Sequence, residues 1–182
     1  MTDVVLERRF DPPVTIEEFA ASAAAQAGCF DLYRVDWQRS LMSKDRRRLV
    51  CWFRAVDVES ARTALRMNDV DTRVLWGGSY HEAPELAADA LATVNVAVER
   101  QFDEPTSLDD IQAIEDAGAR CLEMSSVEFV CTLFSADRTR MICLYRAPDA
   151  ESVREAQREA GMPFESIWAF DVLSPETIKS KT

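Results

Sequence analysis

The sequence predicts an α+β fold built by duplication, on three observations. The chain matches itself without gaps at an offset of 92 residues. Each matched segment reads strand, helix, strand, strand, helix, strand. Of its 182 residues, 47% are hydrophobic and only 5 are Gly and 7 Pro, so a packed core is within reach and a low-complexity chain is excluded. The self-match runs from Val4 to Trp76 against Val96 to Trp168, with 26 identities in 73 aligned positions. Its strongest block sets Cys51-Trp52-Phe53-Arg54-Ala55-Val56-Asp57 on Cys143-Leu144-Tyr145-Arg146-Ala147-Pro148-Asp149.

The elements follow in order within each copy. Val4, Leu6 and Phe10, and Val96, Val98 and Phe102, have strand periodicity, ended by Asp11-Pro12-Pro13 and Asp103-Glu104-Pro105. Thr15 with Glu18, and Ser107 with Asp110, are helix-opening capping pairs. The stripe Ile111, Ile114, Cys121, Leu122 then predicts helices running to about Leu32 and Met124, with Cys29 and Cys121 on a core face. Alternation at Val35, Trp37, Arg39, Leu41 and at Val127, Phe129, Cys131, Leu133 predicts second strands with turns at residues 43–46 and 135–138. Third strands span Leu49 to Arg54 and Met141 to Arg146, Asp57 and Asp149 cap the second helices, and short strands at Val74 to Trp76 and Ile167 to Val172 close each unit. A short linker helix is expected near Glu85 to Leu91.

Such a unit puts both helices on one face of an antiparallel sheet and leaves the other face apolar. The expected architecture is a pair of tandem ferredoxin-like (βαββαβ) repeats packed sheet-to-sheet as an intrachain dimeric α+β barrel. Its expected divisions are a first repeat over 1–80, a linker over 81–94 and a second repeat over 95–182.

Composition narrows the function. A net charge of −11 argues against nucleic acid or an anionic membrane as partner. No apolar run is long enough to span a bilayer and Met1-Thr2-Asp3 leads straight into charge at Glu7, Arg8 and Arg9, which predicts a cytoplasmic protein. Five cysteines form no CxxC pair, as expected of reduced thiols. Glycine-rich phosphate loops and the HExxH, GxSxG and dinucleotide motifs are missing, and the single His81 falls in the linker.

Tyr145-Arg146-Ala147-Pro148-Asp149-Ala150-Glu151-Ser152-Val153-Arg154, followed by Arg158-Glu159-Ala160-Gly161-Met162-Pro163 and preceded by Val98-Glu99-Arg100-Gln101-Phe102, resembles a family of small bacterial ferredoxin-like domains that includes a nickel-binding protein. The resemblance covers each repeat and is clearest in the second. It implies the same fold, with metal binding, where present, through histidines of the middle strand and second helix. The matching positions here hold Arg39 and Cys131, and Ala64 and Ala156 with Leu65 and Gln157 beside them, so the expectation is no metal, no cofactor and weak or absent nickel and zinc binding.

The repeated Glu7-Arg8 and Glu99-Arg100, with Arg54 and Arg146, suggest a shared structural task such as a cross-strand ion pair. A site used once requires the copies to differ, which directs attention to Arg39 against Cys131, Gln38 against Val130 and Tyr33 against Ser125. Trp37 and Phe129, two residues away, are expected on the same strand face. The candidate ligand-binding set is therefore Trp37, Arg39, Phe129 and Cys131, with Arg39 offered to an anionic or carbonyl group. Trp52, Phe53 and Tyr145 either line a cavity or form plain core, and Arg46-Arg47-Arg48 reads as a solvated hairpin edge. Two functions stand open. One is a non-catalytic module binding a small molecule or partner that has lost its relatives' histidines. The other is a cofactor-independent α+β-barrel enzyme acting on a small hydrophobic or aromatic molecule, with Asp36 or Glu128 among its polar groups. Either a monomeric pseudo-dimer or a homodimer fits.

Overall fold

The computed structural model describes residues 1–84, 86 and 89–179, with the Lys179 side chain excepted. Its elements are β1 (Thr2–Arg9), α1 (Ile16–Tyr33), β2 (Asp36–Ser43), β3 (Arg48–Ala55), α2 (Val58–Arg66), β4 (Val74–Glu82), α3 (Ala90–Thr93), β5 (Val96–Gln101), α4 (Leu108–Met124), β6 (Glu128–Ser135), β7 (Arg140–Arg146), α5 (Ala150–Glu159), β8 (Ser166–Leu173) and α6 (Pro175–Lys179). The fold is mixed α+β with antiparallel strand pairing. Two compact units divide the chain, one of Met1–Gly78 with the residues from Asp171 onward, the other of Ser79–Phe170. The cuts fall inside β4 and β8, so the compact units differ from the consecutive stretches expected from the repeat.

In the first unit the strand order is β4-β1-β3-β2, with the tail of β8 beside β2. Thr15 accepts from the Glu18 N–H while Glu18 accepts from the Thr15 N–H, closing the predicted capping box of α1. Asp57 caps α2 through the Ser60 N–H. The helix-side core gathers Val4, Leu6, Met42, Leu49, Cys51 and Phe53 from the sheet with Phe30, Ala61, Ala64 and Leu65 from the helices. Val5, Leu41 and Val50 are buried on the opposite face. Gly77 is needed where β4 passes α2, because a Cβ there would stand 2.5 Å from Val58 Cγ2.

The second unit repeats the plan as β8-β5-β7-β6, with the tail of β4 beside β6 through the bond from Ala83 N–H to the Val130 carbonyl. Its helix-side core holds Val96, Val98, Ile111, Leu122, Phe134, Met141, Cys143, Tyr145, Val153 and Ala156. Asp149 caps α5 through Ser152 as Asp57 does α2. Ser107 accepts from the Asp110 N–H, but the shorter Asp110 carboxylate bonds the Ser107 hydroxyl rather than its backbone. Arg46 and Arg138 take φ 62° at the same step of both hairpins.

Three expectations are corrected. Cys29 and Cys121 are half-buried and Ile114 is 40% exposed, because the buried line of α4 runs through Ile111, Gly118 and Leu122 and leaves Ile114 and Cys121 on its flank. The fourth strand of the first repeat does not stop near Trp76; β4 continues through Gly77 and Gly78 to Glu82, which moves His81 out of the linker and onto a strand. The repeated Glu7 and Glu99 accept hydrogen bonds from Trp76 and Trp168 at 2.7 and 2.9 Å, and Arg146 pairs across the strands with Glu128. Arg46 and Arg47 reach Asp171 and Asp11, each at 2.8 Å, so the basic hairpin is ion-paired. The linker helix expected over 85–91 lies partly outside the described residues; α3 is the helical segment described nearby.

Candidate functional site

A β-bulge decides where the four predicted residues go. Register shifts between Trp37 and Arg39 on β2 and between Phe129 and Cys131 on β6, so Gln38 and Val130 are extra residues without partners across the ladder. An extra residue reverses the inward-outward alternation beyond it. Trp37 is therefore opposite Phe53, and Phe129 opposite Tyr145, on the helix side of each sheet, whereas Arg39 is opposite Trp52, and Cys131 opposite Leu144, on the other side. The expectation that all four share a face fails for this reason. Arg39 is half-buried, and the fully buried Cys131 lies beside the Tyr80 hydroxyl, which donates to Glu82 Oε1 at 2.9 Å. Burial, then the neighbouring Cys131 and Glu82, drives the Tyr80 pKa upward.

Trp37 opens onto an apolar cleft of the first unit, about 480 Å³, lined by Ala23, Ala24, Ala27, Phe30, Val35 and Trp37, with Pro175 and Ile178 of α6 and the carboxylate residues Asp31 and Asp36. The cause is legible in α1. Its central stretch Ala20-Ala21-Ser22-Ala23-Ala24-Ala25-Gln26-Ala27-Gly28 favours helix but offers methyl groups where larger side chains would fill the gap to β2. Only Gln26 and Phe30 of α1 are buried. Trp37 is held by an edge-to-face contact with Phe19, ring centroids 5.9 Å apart, and its Nε1–H donates to Ser40 Oγ at 3.0 Å. Ser40 in turn donates to Cys51 Sγ at 2.9 Å, and burial pushes the Cys51 thiol up to about 12, so it acts as a neutral acceptor. This relay fixes the orientation of the indole.

The second unit carries a buried polar network on its helix side. Arg100, 5% exposed, donates to the Pro163 carbonyl, to Gln157 Oε1 at 2.8 Å and to the Tyr145 hydroxyl at 3.4 Å, while Gln157 Nε2 donates to the same hydroxyl at 3.2 Å. Burial raises the pKa of both the Tyr145 phenol and the Cys143 thiol, leaving neutral groups around the guanidinium. Glu115 closes the network on α4, with Oε1 buried and without a hydrogen bond, and burial raises its carboxyl pKa against the pull of Arg100. These residues were missed in the sequence although a signal existed. At the offset of 92, Tyr145, Gln157 and Glu115 answer to Phe53, Leu65 and Ala23, a symmetry break on the helix side.

Glu115 gives a pH prediction. A carboxyl whose folded pKa lies above its unfolded value contributes stability below the unfolded pKa, near 4.5, and loses it as pH rises through the folded value. Glu115→Gln removes that loss. The variant is expected to melt about 2 °C above wild type at pH 7 and level with it at pH 4, read by circular dichroism. Equal melting curves at both pH values would remove Glu115 from the pH dependence.

Metal ligation has little to work with. Among the described residues no group of three or more His, Cys, Asp or Glu side chains converges. His81 Nε2 shares a 2.7 Å hydrogen bond with Ser79 Oγ. The donor set does not fit nickel, which needs imidazole or paired thiolates in such a fold.

Known proteins were compared with this geometry in hand. Residues 97–169 match the family model described as nickel-responsive protein, SCO4226-like. No curated protein sequence matches the chain. Among solved structures, a candidate chlorite dismutase designated TA0507 is 10% identical over 99% of this chain and 97% of its own, with a TM-score of 0.55. A mutant chlorite dismutase of Candidatus Nitrospira defluvii in complex with cyanide is 12% identical over 99% and 93%, with a TM-score of 0.54. Both are of the dimeric α+β barrel type, and at these identities the likeness is one of fold. Among the described residues no helix is long and apolar enough to cross a membrane.

Proposed function

We propose that the chain is a duplicated ferredoxin-like module that binds a small apolar organic ligand without transforming it, in the Trp37 cleft of the first unit. The observation that carries this is the cleft itself. Its volume of about 480 Å³ lies in the usual range for small-molecule sites, and Trp37 of β2 stands across from the methyl groups and Phe30 of α1. The polar groups that do converge, around Arg100, are engaged with one another, which favours binding over catalysis. Loss of the relatives' histidines then reads as a change of cargo from metal to organic molecule. Arg39, Phe129 and Cys131 take structural roles in this reading, and Trp37 alone of the predicted set meets ligand.

Filling the cleft tests it. Ala27 is exposed and lines the cleft, so Ala27→Trp inserts an indole without entering the core. Titration with the neutral dye N-phenyl-1-naphthylamine is expected to give saturable fluorescence in wild type, at least tenfold weaker binding in Ala27→Trp and no change in Ala25→Trp, which is exposed on the same helix outside the lining. Equal binding by all three proteins would reject the cleft.

A further inference from the structure

We infer that the ligand of this cleft is an organic cation, an amine carried on an aromatic or aliphatic frame; the inference rests on the binding role just proposed. Two observations carry it, the chemistry of the lining and the charge at its end. The ten described lining residues include eight uncharged ones and two charged ones, Asp31 and Asp36, both acidic and both exposed. Among the described residues no ion pair engages either carboxylate. Arg54 is opposite Asp36 in register yet does not close a pair, whereas the corresponding Arg146 and Glu128 of the second repeat do. The first repeat has thus left at the cleft a carboxylate that the second neutralises.

Asp31 lies in the last turn of α1, whose C-cap is Arg34, and the carbonyls of that turn accept from the Arg34 and Val35 N–H groups, so the charge that the cleft presents comes from the two carboxylates. An ammonium group placed beside them meets both, and Phe30 and Trp37 offer aromatic surface to the cation or to its frame. An anionic ligand of the same shape meets repulsion from both. Because the carboxylates are exposed, solvent and salt weaken the attraction, and the preference is one of selectivity more than of high affinity.

The test uses three probes of similar size and different charge: 2-phenylethylammonium, 3-phenylpropanol and 3-phenylpropionate, titrated into the full chain and followed by NMR chemical-shift changes. The ammonium is expected to bind at least tenfold tighter than the propionate and severalfold tighter than the alcohol. Asp31→Asn with Asp36→Asn is expected to reduce ammonium binding to the level of the alcohol while leaving the alcohol unchanged. Raising salt from 50 to 500 mM is expected to weaken the ammonium alone. If the alcohol equals the ammonium and Ala27→Trp blocks both, the cation inference falls and the cleft reading stands. If none of the three binds, both fall. Tighter binding of the propionate overturns the charge argument outright.

Discussion

Arg100→Met is expected to lower the melting temperature by roughly 10 °C, the largest effect of any single change considered. The guanidinium is buried and supplies hydrogen bonds to the Pro163 carbonyl, Gln157 Oε1 and the Tyr145 hydroxyl. Methionine fills most of the space but leaves these acceptors without that donor in a medium where each orphan costs about 1–3 kcal/mol. A second variant separates hydrogen bonding from packing. Arg100→Met combined with Tyr145→Phe and Gln157→Leu installs the aromatic and aliphatic side chains found at Phe53 and Leu65 of the first repeat, and removes the stranded side-chain groups together with the cation, leaving the Pro163 carbonyl as the remaining orphan. It is expected to recover at least half of the loss, because replacing a whole polar cluster costs less than breaking it. A single variant that melts within 2 °C of wild type would show that the network contributes little.

Gly118→Leu is expected to cost about 2–3 kcal/mol in urea unfolding. Gly118 is buried at the crossing of α4 and α5, where an added Cβ would stand 2.6 Å from Ala160 Cβ and 3.1 Å from Met162 Sδ. Ala160 Cβ is fixed to the backbone, so relief requires moving the end of α5. Glycine inside a helix ordinarily sacrifices about 1 kcal/mol relative to alanine, and at Gly118 it permits the close approach of the Ala160 methyl group. Ala160→Gly in the same chain is expected to return part of the loss. Full stability in the single variant would mean that the two helices separate without cost.

Much of the fold was readable because the self-match at an offset of 92 residues writes each element twice. Strand periodicity, Thr15, Asp57 and Asp149 as caps, and both hairpins all occur at their predicted places. The bulges at Gln38 and Val130 were not readable, since neither residue type marks one, and a single inserted residue was enough to send Arg39 and Cys131 away from Trp37 and Phe129. Gly77 and Gly78 looked like the end of a strand when β4 in fact runs through them. The cleft was written in the alanine run of α1, but an absence of bulk becomes a cavity only once the opposing surface is known. The Arg100 network was visible as Phe53 against Tyr145 and Leu65 against Gln157, on strand and helix positions outside the second strand where asymmetry was sought.

The division of the units inside β4 and β8 bears on how the chain is made. The first unit draws its last segment from Asp171 onward, and Arg46 finds its partner in Asp171 only after all of Ser79–Phe170 has been synthesised. A ribosome-bound chain that has emerged as far as Gly78 therefore holds β1, α1, β2, β3 and α2 but lacks the strand tail beside β2 and the α6 wall of the cleft. Contacts between such remote positions are slow to form, and a sheet edge left waiting is open to pairing with other chains in the interval. The α6 wall of the Trp37 cleft accordingly forms late in synthesis, with the residues that follow Phe170.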